Sequence, residues 1–158
     1  MKQVVKFSNL IAAILGVLAI VFLAITPGMK LDTGSLAIET TGFSGFQAIF
    51  GYTETKTVLG VEVSAEILKA NWLGIIAFVL LAVGVIAGVI GMVIGNKIAN
   101  FVSAVALFVG GILLFLVPAA QSTDDITFKL STWLIFSGII AILGGLFGCF
   151  GIFAKGKK

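Results

Sequence analysis

Apolar positions in this chain gather into four long runs, and the segments between them alternate polar with apolar residues. The clearest run, Trp72 to Gly95, reads WLGIIAFVLLAVGVIAGVIGMVIG and holds no ionisable side chain. As a helix it would reach roughly 36 Å, more than the ~30 Å of a bilayer's hydrocarbon core. The four runs predict spans over about 7–26, 72–95, 98–117 and 132–154. Only Asn96 and Lys97 separate the second span from the third, which forces an antiparallel hairpin, and Pro118 is expected to close the third.

Within the spans, small residues recur at helical spacing. Gly84, Gly88, Gly91 and Gly95 step by four, three and four, which puts two GxxxG pairs on one face. The first span carries Ala12, Gly16 and Ala19, the third Ala99, Ser103, Ala106 and Gly110, and the fourth Ser137, Ala141, Gly144, Gly145, Gly148 and Gly151. Where lipid is as apolar as leucine, close backbone approach drives association, so these faces are expected to pack helix on helix.

Between the spans lie outer loops of about 28–71 and 118–131. In the first, KLDTGSLAIETT and YTETKTVLGVEV are rich in Thr, Val, Ile and Leu and suggest short strands. GFSGFQAIFGY between them predicts a short amphipathic helix, with Ser44 as N-cap and Gly51 just past its end. Phe43, Phe46 and Phe50 recur along it, as an aromatic patch for a partner or as rings that pack the loop onto the bundle. Ser64 before AEILKANW, with Glu66 following, suggests that the second long helix begins outside the membrane.

Composition agrees with a membrane protein: 59% of the 158 residues are hydrophobic, 11% are charged, and the mean hydropathy is +1.22. All ten basic residues are lysines and histidine is absent, so bidentate phosphate recognition and neutral-pH proton transfer lack their usual side chains, and nucleic-acid binding is excluded as a reading. Lys2, Lys6, Lys97, Lys155, Lys157 and Lys158 fall on one side of a four-span layout, and all seven carboxylates fall on the other. Both termini are therefore expected in the cytoplasm. Trp72, Trp133 and Tyr52 sit at the outer ends, as an aromatic belt would. The basic start and the apolar run after it also fit a signal peptide, but Pro27 would follow the scissile bond, which favours a retained first span.

Candidate chemistry is sparse. No span holds an ionisable group, and beyond Ser103 and Ser137 no polar stripe is expected at depth, so neither a buried enzyme nor a proton-coupled carrier is indicated. Cys149 has no histidine to act as its base and reads as a packed residue or a palmitoylation site. Asp124 and Asp125 read as a solvated turn, with an outer cation as the other use of such a pair. No cofactor and no metal site is indicated.

The layout of four spans, cytoplasmic termini, a strand-bearing first outer loop and a short second one resembles the claudin-type tetraspan arrangement. The resemblance is one of topology: claudins carry a Trp, a Gly-Leu-Trp and two cysteines where this loop has Phe43, Phe46 and Phe50. GFQAIFGY, Gly45 to Tyr52, is similar to small tetraspan proteins of low-GC Gram-positive bacteria. The resulting expectation is an all-α membrane protein, a four-helix transmembrane bundle with a small extracellular α/β cap. It acts in the cell membrane as a non-enzymatic structural or accessory subunit, in contact with lipid and with a membrane protein partner or its own copies. Helix packing falls to Gly84, Gly88, Gly91, Gly95, Ser103, Ala106, Gly110, Gly144 and Gly148, and partner binding to Phe43, Phe46 and Phe50. The rival expectation is a small-solute channel or transporter component.

Overall fold

The computed structural model describes residues 2–25, 29–32, 43–122 and 127–153. The elements run α1 (Lys2–Ala24), β1 (Met29–Asp32), α2 (Gly45–Phe50), β2 (Tyr52–Val58), β3 (Val61–Leu68), α3 (Trp72–Ile94), α4 (Lys97–Gln121), β4 (Thr127–Leu130) and α5 (Thr132–Phe153). Helices α1, α3, α4 and α5 are each long and apolar enough to cross a membrane, the mark of a multi-pass membrane protein.

Side-chain caps set the helix boundaries. Asn71 begins α3 by accepting from the backbone N–H of Leu73 at 3.0 Å and of Gly74 at 3.3 Å. At the other end Gly95 turns left-handed, φ 70°, and its N–H reaches the Gly91 carbonyl at 2.7 Å. Asn96 then caps α4 through the N–H of Ile98 at 2.9 Å. Two residues thus close one helix and open the next.

The long helices pack in a ring, α1 on α3, α3 on α4, α4 on α5 and α5 on α1, with α1 and α4 on a diagonal. Leu23, Leu81, Leu107, Leu114 and Leu134 fill the centre, with Ala12, Ala19, Ala77 and Ala141 between them. Bulky residues such as Ile76, Val79, Val83, Ile86 and Val93 face outward. This inversion follows from the solvent. With lipid outside, burying a large apolar side chain gains little, and close backbone contact over small residues is what holds helices together. Leu107 is the clearest case. Its Cγ lies 2.7 Å from where a Cβ on Gly84 would stand, its Cδ2 3.0 Å from that of Gly16 and its Cδ1 3.2 Å from that of Gly144. One leucine is thereby keyed into bare faces on three other helices.

The remaining elements gather at the end of the bundle away from the Asn96 turn. α2 has the expected Ser44 cap, reciprocated by Gln47: the Gln47 N–H donates to Ser44 Oγ at 3.1 Å, and the Ser44 N–H to Gln47 Oε1 at 2.9 Å. Gly51 follows with φ 86°. β1 pairs antiparallel with β4, Met29 opposite Leu130 and Asp32 opposite Thr127, and β2 pairs antiparallel with β3.

Two expectations are corrected here. Ser64 does not cap a helix: residues 61–68 form β3, and Ser64 Oγ lies 3.0 Å from Thr55 Oγ1 on β2. The alternation of Val61, Val63 and Ala65 with Glu62, Ser64 and Glu66 prevails over the local cap signal, and α3 starts only at Trp72. Pro118 does not close α4, which continues to Gln121. The proline forfeits one helical bond, that of its own missing N–H, and the last turn is tied down elsewhere. Gln121 Nε2 donates to the carbonyls of Ala48 at 2.9 Å and Lys69 at 2.7 Å, and the Ser122 N–H and hydroxyl both bond the Pro118 carbonyl.

Candidate functional site

The small-residue faces predicted for helix packing lie inside the bundle. Gly84 receives Leu107, Gly88 lies against Ala13 of α1 and Ser103 of α4, and Gly91 lies under the carboxamide of Asn9. The α3 glycine stripe thus meets α4 at one end and α1 at the other. Gly110 abuts the Ala77 carbonyl and Leu81, Gly144 abuts Leu15 and Leu107, and Gly148 abuts Ala104. Ala106 is buried. Gly95 lies beyond the last helical residue and serves as the cap described above.

Serine hydroxyls cross between helices in the same region. Ser103 Oγ donates to the Gly84 carbonyl at 2.7 Å, Ser137 Oγ to the Ala19 carbonyl at 2.6 Å, and Ser8 Oγ to the Phe147 carbonyl. The two serines that sequence reading singled out as polar at depth therefore have backbone partners. Asn9 on α1 and Asn100 on α4, which that reading passed over, are both fully buried. Both were visible as polar residues inside the predicted spans, but only helix rotation shows that they face inward. Cys149 is half-buried, and Asp124 and Asp125 lie outside the described residues.

The phenylalanine patch is brought together in part. Phe46 and Phe50 both meet Phe78 of α3 edge-on, with centroids at 5.6 Å and 5.5 Å, while Phe43 tilts against Tyr52 beside the Ala48, Leu68 and Val117 cluster. Phe43 and Phe46 are half-buried and Phe50 is exposed on its outer side.

A surface the sequence reading did not single out is the β2–β3 hairpin. Its pairing puts Glu54, Lys56, Val58, Val61, Val63 and Ala65 on one face and Thr53, Thr55, Thr57, Glu62, Ser64 and Glu66 on the other. Both faces are open over most of their length. Lys56 and Glu54 pair at 3.1 Å on the first face, an exposed bridge that adds little stability. Nearer the tip that face is apolar: Val58, Val61 and Val63 are each more than half exposed, and Leu59 is 100% exposed.

The tip is a two-residue turn, Leu59–Gly60, with φ of 53° and 81°. Two positive φ values are the type I′ pattern, whose first position favours Asn, Asp or Gly. Leucine there costs roughly 1–2 kcal/mol of backbone strain. The turn residues LG, in place of NG or DG, were the available sequence signal. No family model, no curated protein and no solved structure matches the chain.

Proposed function

We propose that this protein is a non-enzymatic accessory or structural subunit of the cell membrane, with both termini in a bacterial cytoplasm. It docks on a membrane protein partner through the apolar face of its outer β2–β3 hairpin. The observation that carries this reading is Leu59: a large apolar side chain, fully exposed, at a turn position that leucine occupies only under strain. Strain without a folding benefit is expected where a side chain serves recognition, and neighbouring Val58, Val61 and Val63 extend the same face. The glycine faces support a division of labour. They are used within the bundle, which leaves docking to the hairpin and the open side of Phe50, on an α/β cap outside the membrane.

The test is Leu59→Asn. Asparagine suits the turn, so the hairpin should be at least as stable, while a docking face centred on Leu59 should lose its partner. Native mass spectrometry of the full chain in mild detergent should find a discrete complex for the parent protein, with a second copy or a larger membrane protein, and the monomer for the variant. A variant that keeps the same complex would refute the assignment. A small-solute channel component is the second reading. Buried Asn9 and Asn100 favour it, and Leu107, seated at the bundle centre against three helices, weighs against it.

A further inference from the structure

Asn9 and Asn100 are each 0% exposed, and all four of their side-chain polar atoms, the two Oδ1 and the two Nδ2, have no hydrogen-bond partner among the described residues. Helical register places the two in one layer of the core. A Cβ on Gly88 would meet Ala13 of α1 at 3.2 Å and Ser103 of α4 at 3.1 Å, so those residues converge on one point of α3. One turn further toward the Asn96–Lys97 turn, Ala13 is succeeded on α1 by Asn9, Ser103 on α4 by Asn100 and Gly88 on α3 by Gly91. The Asn9 carboxamide lies directly on Gly91, where any side chain would displace it.

We propose that Asn9 and Asn100 bind ordered water inside the bundle, between α1 and α4 and on the turn side of Leu107. Buried carboxamides require partners, and the choice of partner follows from what this layer offers. Together the pair presents two acceptor oxygens and two NH2 groups with no net charge. A metal cation of the hard type takes six or more oxygens, and two amide oxygens flanked by their own N–H groups fall well short. The charged described side chains nearest in sequence, Lys6 and Lys97, are cationic and add no attraction for one. Among the described residues no buried positive charge is present to pair with an anion in this layer. Water both donates and accepts, and two to four such partners are what an internal water requires. Its way in is from the Asn96 turn, since Asn100 lies in the first turn of α4 and Leu107, 0% exposed, closes the core beyond.

The chain has four asparagines, so 15Nδ2-asparagine labelling of the full protein in bilayers yields a simple solid-state NMR spectrum. Asn96, exposed, is the wet control. Asn71, buried with Nδ2 donating to the Val117 carbonyl at 3.1 Å, is the dry one. Water-edited transfer should light the Asn9 and Asn100 side chains as it does Asn96, and Asn9→Leu should weaken the Asn100 signal severalfold. Silence at both, as at Asn71, would overturn the proposal and point to direct bonding between the carboxamides. A shift of both resonances with sodium or potassium concentration would overturn it in favour of a cation. Both readouts are available on the parent protein, so the result does not depend on a variant folding.

Discussion

Leu107 and Gly84 should be energetically coupled, and the geometry fixes the sign. A methyl group on Gly84 would stand 2.7 Å from Leu107 Cγ and 2.8 Å from its Cδ2, inside any normal contact, so Gly84→Ala overpacks the α3–α4 seam. Overpacking of this kind costs about 1–3 kcal/mol. Leu107→Ala acts the other way, by leaving a cavity. In a soluble core such a change costs about 2–5 kcal/mol. Roughly 2.4 kcal/mol of that is transfer of three methylene-sized groups from water at ~0.8 kcal/mol each. A leucine released into lipid does not meet water, so that part drops out and about 0–2.5 kcal/mol remains. In the double variant the new methyl enters the space that Leu107 vacated. Its cost should fall below the sum of the singles by at least about 1 kcal/mol, well outside the ~0.5 kcal/mol within which independent sites add. Relief will be partial, because the Leu107 backbone nitrogen is 3.2 Å from the same methyl position. Reversible unfolding of the four proteins in bicelles measures the cycle. Strict additivity would refute the contact, and with it the account of why position 84 is glycine.

Orientation is expected to follow the lysines. In intact cells, single cysteines placed near Lys2 and Lys157 should resist an impermeant thiol reagent, and cysteines near Glu54 and Asp125 should react, the reverse pattern inverting the bundle in the membrane. Phe46→Ser with Phe50→Ser removes both rings that meet Phe78. At about 0.5–1.5 kcal/mol per aromatic pair, the loss should lower the melting temperature of the detergent-solubilised protein. An unchanged melting temperature would return these rings to a recognition role alone.

The long helices were readable because membrane spans announce themselves by length and lack of charge, and because Ser44 and Gly51 flank α2 with specific local chemistry. A serine two positions before a glutamate, as at Ser64, is a helix cap only if the residues after it turn helical. Cross-strand pairing with Thr55, nine residues away, decided otherwise. Pro118 marks no helix end because the bonds that keep the last turn of α4 in place come from Ala48 and Lys69, far away in sequence. Asn9 and Asn100 carry no charge, so the absence of charge at depth does not reveal them. Whether a polar residue in a span faces lipid or core is a matter of helix rotation, which packing sets. The hairpin face was hidden in the same way, since alternation tells which residues share a side and not whether anything covers it.

The β1–β4 ribbon joins the chain just after α1 to the chain just before α5, and α1 and α5 are also neighbours in the ring. During synthesis, then, α3 and α4 can form their hairpin as soon as both have emerged. α1, made before α3 and α4, must wait for residues 127–130 before β1 has a strand to bond and for α5 before its second flank is covered. α1 precedes its partners in the chain yet is among the last of these helices to be fixed in place, and the membrane must hold it, half-partnered, until α5 arrives.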